Sequence, residues 1–199
     1  MHKVILPLTF FLDGGMAERL NAPVLKTGMG ASPSRVRIPV PPPFIFMNID
    51  IVEATLSDLN ALSSLEEQVF DHLRYHTISK KQYRYLLTKG KCHIYKAVSD
   101  GELVGSVVVF HRKSSAFARL YSLAVDSAYR GQSIGRKLVE HVADMMRQKG
   151  CKGLLCEMRA DDNRLLDFYQ NLGFKITGKL PNYYADGAQG LKLKTLFNV

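Results

Sequence analysis

Tyr121-Ser122-Leu123-Ala124-Val125-Asp126, then Arg130-Gly131-Gln132-Ser133-Ile134-Gly135-Arg136, then Lys137 to Lys149: this stretch decides the fold. Leu120 to Val125 is short and apolar and ends at Asp126, which suits a buried strand. Beyond the glycines, Ile134, Leu138, Val142 and Met145 recur at helical spacing, with Ser133 as the N-cap candidate and Gly150 as the stop. The reading is therefore strand, turn, helix. A helix entered through small residues leaves several N–H donors free at its positive dipole end, and Arg130 and Arg136 add full charges there. That combination predicts an anion site.

Two common anion loops are excluded. A nucleotide P-loop needs Lys followed by Ser or Thr after its second glycine, and a dinucleotide fingerprint needs three spaced glycines with an acid on a second strand. Neither is present. The loop instead resembles the Q/R-x-x-G-x-G/A signature of the GNAT N-acetyltransferases, with Arg130 at its first position, Gly135 at its last and Ser133 where glycine is usual. The resemblance implies that Arg130, Gly131, Gln132, Ser133, Ile134, Gly135 and Arg136 hold the pyrophosphate of acetyl-CoA. Serine is small and keeps its N–H, so the cradle is expected to survive the exchange. The resemblance also implies that backbone N–H groups of Leu123, Ala124 and Val125 face the acetyl carbonyl.

The rest of the chain gives the element order. Thr55 to Asp58 opens a helix carrying Leu59, Leu62, Leu65 and Val69; Ser79-Lys80-Lys81-Gln82 is a capping box for a second helix. Asp100-Gly101 is a hairpin signal between strands at Cys92–Val98 and Leu103–His111. A strand over Gly153–Met158, a helix carrying Leu165, Leu166, Phe168, Tyr169 and Leu172, and strands at Phe174–Thr177 and Leu191–Phe197 complete it, after an edge strand at Ile49–Glu53. The order β-α-α-β-β-β-α-β-α-β-β is that of an α/β (α+β) GNAT fold, a mixed central sheet of about seven strands with about four helices. The resemblance covers 47–199 as one acetyltransferase domain.

Residues 1–46 read differently. Asn21 to Pro43 holds six prolines with no sustained period, a composition of disorder. Gly15 to Pro39 also resembles a conceptual translation of a serine tRNA gene. Residues 1–46 are thus expected to be a disordered or spurious extension, with Met47 as the authentic start; abundant native peptides upstream of Met47 would refute this.

Composition narrows the partners. The 199 residues carry a formal charge of +9. Lys3, Arg19, Lys26, Arg35 and Arg37 against Asp13 and Glu18 leave +3 in residues 1–46 and +6 in the rest. An anionic ligand suits that balance, but the basic residues are spread out, so nucleic acid is not the expected partner. No apolar run reaches the roughly 18 residues of a membrane-spanning helix. Cys92, Cys151 and Cys156 are odd in number and lack C-x-x-C spacing, so neither a disulfide scaffold nor a metal site is expected, and a cytoplasmic setting fits. Nothing in the chain marks an oligomeric state.

Two side chains stand out for chemistry. Glu157 is a lone acid in the apolar run Leu154-Leu155-Cys156-Glu157-Met158-Arg159; it either pairs with Arg159 or acts as a general base. The run resembles L-E-V-R of the ribosomal-protein N-terminal-alanine acetyltransferase branch, which implies the second role. Tyr169 in Phe168-Tyr169-Gln170-Asn171-Leu172-Gly173-Phe174 resembles the tyrosine that protonates the departing CoA sulfur; otherwise it is a surface-tipped helix aromatic. Asp162 stands where that family often has Asn, so no cofactor contact is assigned to it. Asn182, Tyr183 and Tyr184, with Asp186-Gly187, resemble a segment bordering the acceptor site, although a packing cluster would read the same.

The implied reaction is direct transfer of acetyl from acetyl-CoA to a primary amine. An α-amine with pKa near 8 is about a tenth neutral at pH 7, and a lysine near 10.4 less than about a thousandth. A protein or peptide N-terminus is therefore the expected acceptor. The alternatives are a small-molecule amine, or a non-catalytic acyl-CoA-binding module that would not need Glu157 or Tyr169.

Overall fold

A computed structural model describes residues 48–75 and 77–197. The 1–46 extension and the Met47 start lie outside those residues. The elements are β1 (Asp50–Glu53), α1 (Leu59–Val69), α2 (Lys80–Thr88), β2 (Cys92–Ser99), β3 (Glu102–Phe110), β4 (Phe117–Val125), α3 (Ile134–Gln148), β5 (Gly153–Arg159), α4 (Asn163–Gln170), β6 (Lys175–Leu180) and β7 (Gly190–Leu196).

They form one seven-stranded sheet in the order β1-β2-β3-β4-β5-β7-β6. Every neighbouring pair is antiparallel except β4 and β5. The chain between those two strands is a crossover containing α3, which is what a parallel pair requires. The last two strands are inserted in reverse: β7 lies between β5 and the edge strand β6.

The β4–β5 ladder is short. Only Phe117, Ala118 and Arg119 pair, with Gly153, Leu154 and Leu155. β4 stays paired to β3 as far as Val125, and β5 to β7 as far as Arg159. Beyond Arg119 the two parallel strands have no ladder between them, and a wedge opens toward their carboxyl ends. A bulge at Tyr121, between the pairs Val109–Leu120 and Val108–Ser122, bends β4 where the wedge begins.

Helices cover the two faces unequally. On one face, α3 buries Ile134, Leu138, Val142 and Met146, and α4 buries Leu165 and Tyr169, against Val107, Leu120, Leu154 and Met158. Met145, expected on this stripe, is only partly buried; the stripe instead drifts around to Met146 and Val139. On the other face, α1 and α2 set Leu59, Leu62 and Tyr83 against Ile94 and Val108. These contacts reach β2, β3 and β4 only.

Local signals fall as read, with adjustments. Ser79 Oγ accepts from the Gln82 N–H at 3.3 Å while Gln82 Oε1 accepts from the Ser79 N–H at 2.8 Å. Asp58 accepts the Thr55 N–H at 2.8 Å, but this cap closes a 3₁₀ turn at Leu56–Asp58 that leads into α1. β6 begins one residue late and continues to Leu180. β1 is far more exposed than a half-buried strand would be.

Candidate active site

The loop before α3 is shaped by its backbone. Gly131 has φ +77° and Ser133 φ +60°. Ser133 is the N-cap residue, but its hydroxyl makes no cap hydrogen bond. The expectation of a serine cap is therefore corrected: the position is left-handed, the conformation glycine adopts without strain and serine adopts at about 1–2 kcal/mol. The first helical bond runs from the Lys137 N–H to the Ser133 carbonyl at 2.9 Å, so the N–H groups of Ile134, Gly135 and Arg136 precede the helical ladder. They open on a cavity of about 180 Å³ lined by Val125, Tyr129, Arg130, Gly131, Ser133, Ile134, Gly135, Arg136 and Phe168. Gln132 lies in the same turn and is exposed. Arg136 makes a loose ion pair with Glu140 at 3.5 Å.

Leu123, Ala124 and Val125 form the end of β4 along the unladdered side of the wedge. Tyr169 approaches from the α3–α4 face. It is fully buried, edge-on to Phe168 and Phe174, and its hydroxyl has no hydrogen-bond partner. The surface-tipped reading is thereby excluded. Burial pushes the phenol well above its usual range, and Cys156 and Tyr184 act the same way. A buried hydroxyl without a partner costs about 1–3 kcal/mol, so such a group marks a place where something polar is meant to arrive.

Glu157 lies on the opposite face of β5, where it is 15% exposed. Its Oε2 accepts from Arg119 Nε at 2.7 Å, and Arg119 Nη2 donates to the Tyr183 hydroxyl at 3.4 Å. The partner is thus Arg119 on β4, not Arg159 as the alternative reading had it. Arg159 is 3% exposed and donates to Asp161 at 2.9 and 3.0 Å and to Asp186 at 3.1 Å. It stacks against Tyr184 at 4.7 Å and Tyr75 at 5.5 Å. Arg159 therefore clasps the β6–β7 loop to the α1–α2 connection; its own pKa is raised chiefly by the hydrogen bond to Asp161.

Tyr184 shares an apolar cluster with Leu65, Val69, Phe70, Tyr75 and Ala124 over the wedge, and its hydroxyl is also buried without a partner. Tyr183 lies over Gly190, where a Cβ would come within 2.9 Å of the ring. Burial raises the Tyr183 phenol to about 12. Both tyrosines are thus packing residues that also border Glu157. Asn182 is an exposed turn residue at φ +48°. Asp162 caps α4, accepting the Leu165 N–H at 2.9 Å, which accounts for its identity. In the α1–α2 connection, His76 lies outside the described residues.

Sequence reasoning missed Glu66. This α1 residue is 2% exposed and accepts from the Ile78 N–H at 3.0 Å, the Tyr83 hydroxyl at 2.9 Å and the Ser122 hydroxyl at 3.2 Å. It ties α1, the entry to α2, and β4 beside the bulge. Burial raises its pKa from 4.5 to about 7 despite the three donors. Among the described residues no group of three His, Cys, Asp or Glu side chains could hold a metal ion.

Comparison with known proteins agrees with this layout. The profile of the acetyltransferase (GNAT) family matches residues 58–174. N-alpha-acetyltransferase 30 of Schizosaccharomyces pombe is 28% identical over 117 residues, covering 57% of this chain and 78% of that protein. The [Ribosomal protein bS18]-alanine N-acetyltransferase of Escherichia coli is 37% identical over 67 residues, 34% of this chain and 45% of that protein. The crystal structure of the ribosomal-protein-S18-alanine N-acetyltransferase from Escherichia coli superposes with a TM-score of 0.68 at 22% identity, over 76% of this chain and 96% of that one.

Proposed function

Because this chain belongs to the acetyltransferase (GNAT) family, we propose that it moves an acetyl group from acetyl-CoA to the α-amine of a polypeptide N-terminus in the cytosol. The loop's N–H groups and cavity fit a diphosphate, and the partnerless Tyr169 hydroxyl fits a thioester sulfur at the wedge. When bound, acetyl-CoA supplies an activated acyl carbon. The chain does the rest. Gly131 to Arg136 bind the diphosphate, and backbone N–H groups of Leu123 to Val125 donate to the carbonyl oxygen, whose charge grows as the amine attacks. Glu157 accepts the proton that the amine loses, directly or through water. A C–N bond forms, the C–S bond breaks, and Tyr169 gives its proton to the departing sulfur. The tightly packed Tyr75, Tyr183 and Tyr184 orient the acceptor and exclude water.

The carrying observation is that Tyr169, buried with a partnerless hydroxyl on one face of β5, and Glu157, on the other face, flank the same strand. The acceptor class rests on the α-amine's larger neutral fraction and on relatives that carry N-terminal acetyltransferase names. The test uses labelled acetyl-CoA with three acceptors: a peptide with a free N-terminus, the same peptide blocked there but holding a lysine, and small primary amines. Label is expected on the first alone. Equal labelling of the blocked peptide or of the small amines overturns the α-amine assignment, and acetyl-CoA binding without label on any acceptor would leave only a binding module.

A further inference from the structure

Among the described residues no helix packs on the face of β5–β7–β6 that carries Glu157: α1 and α2 pack against β2 to β4 and the β6–β7 loop, and α3 and α4 occupy the other side. Register assigns its side chains. Leu155 stands opposite Lys194 and Glu157 opposite Lys192, while Lys194 stands opposite Lys175 and Lys192 opposite Gly178. Arg119, level with Leu155, projects the same way. This face therefore presents Arg119, Lys175, Lys192 and Lys194 beside Glu157, which Arg119 already engages, while Asp161 and Asp186 at its far end are taken up by Arg159. Lys175 and Lys192 are exposed. Lys194 rests over the Phe117 ring at 4.1 Å. Among the described residues none of the three lysines has an ion-pair partner.

We infer that this stripe receives acidic side chains of the acceptor polypeptide just beyond its N-terminus, so that the enzyme selects acidic N-terminal segments. The inference rests on the α-amine reading and adds a substrate class to it. Dimensions favour it. Neighbouring strands are about 4.8 Å apart, so Lys192 lies one strand spacing from Glu157 and β6 two, while alternate lysines along β7 are about 7 Å apart. An extended peptide advances about 3.3 Å per residue. With its amine at Glu157, the residues at positions two to five pass over β7 and β6. Exposed lysines without carboxylates suit a partner that brings its own, and the attraction weakens with salt.

The test takes three peptides alike at the first residue, bearing Asp/Glu, Asn/Gln or Lys/Arg at positions two to five, with the full chain and with Lys192→Glu/Lys194→Glu. The native enzyme is expected to show a KM about tenfold lower for the acidic than for the neutral peptide, with the gap closing by 0.5 M salt. The double variant is expected to reverse the order of acidic and basic peptides and to keep kcat on the neutral one. Equal KM values for all three peptides, or an order unmoved by the double variant, overturns the inference. So does displacement by a short RNA oligonucleotide at concentrations where the acidic peptide does not bind, which makes the face a nucleic-acid surface. If no peptide is acetylated, the α-amine reading falls; calorimetric ranking of the same peptides in the presence of CoA then still decides the stripe. A second variant, Lys175→Glu, lies on the edge strand and guards against a β7 folding defect.

Discussion

The two sides of the wedge are built in opposite ways. The side we propose for the cofactor is made of backbone: a loop with two left-handed residues, N–H groups that precede the helical ladder of α3, and the end of β4. The side we propose for the acceptor is made of side chains clasped over long distances in sequence: Arg159 to Asp186 and to the Arg74 carbonyl, Glu66 to Ile78 and Ser122, Arg119 to Glu157 and Tyr183. The difference teaches where substitution can act. Backbone donors survive most side-chain changes, so the acetyl-CoA side should tolerate mutation, whereas each clasp on the acceptor side depends on one residue.

Tyr169 stands between the two sides and carries the largest expected effect. Tyr169→Phe should lower kcat by about 10² to 10⁴ and leave thermal stability unchanged or slightly higher, because the hydroxyl removed has no partner. Steady-state kinetics beside a melting curve checks both; an unchanged kcat would mean that the sulfur takes its proton elsewhere.

Arg159→Met is the sharpest probe of the acceptor clasp. It leaves Asp186 without its cation and Asp161 with only the looser Arg74 contact at 3.4 Å, and the melting temperature should fall by roughly 5–10 °C. The acceptor KM should rise several-fold while that for acetyl-CoA stays within about twofold. Equal rises in both would erase the contrast drawn between the two sides.

Glu66 gives a pH signature. Its folded pKa is raised from 4.5 to about 7, so the favourable contribution is complete below pH 4.5 and is lost as pH climbs through 7. The native state should therefore give up about 3 kcal/mol between those limits, within a factor of two. Glu66→Gln should flatten that part of the profile when denaturant melts are compared across pH 5 to 8.

The smallest effect is expected on the cofactor side. Ser133→Gly removes left-handed strain at φ +60° and should stabilise the fold by up to about 1 kcal/mol, less whatever glycine's freer unfolded chain takes back. Acetyl-CoA affinity, read by calorimetry, should change by less than about fivefold.

How much of this was legible follows the same division. The loop, the position of Tyr169 on its helix and the cap of α2 depend on spacings of a few residues, and local spacing survives in a sequence; the Asp162 cap of α4 emerged only with the structure. Ser133 does occupy the N-cap position of α3, but its hydroxyl makes no cap bond, which a serine at a helix start does not reveal until its φ is known. Glu157 was visible as an acid in an apolar strand; its partner was not, because Arg119 comes alongside only through the parallel register of β4 and β5. The position of β7 between β5 and β6 is likewise a long-range choice. Glu66 left a trace that went unread. It sits with Leu59, Leu62, Leu65 and Val69 on the buried stripe of α1, and an acid on such a stripe calls for donors. In Glu66-Glu67-Gln68 it passes for surface.

The three-residue ladder between β4 and β5 has a mechanical consequence. It makes that line a seam, where the sheet is sewn for only part of its length. A molecule seated in the gap with hydrogen-bonding groups of its own would supply the missing stitches. Amide hydrogen exchange at Leu123 to Val125 and Cys156 to Arg159 should then slow when CoA is added, while exchange in the β2–β3 hairpin stays as it was.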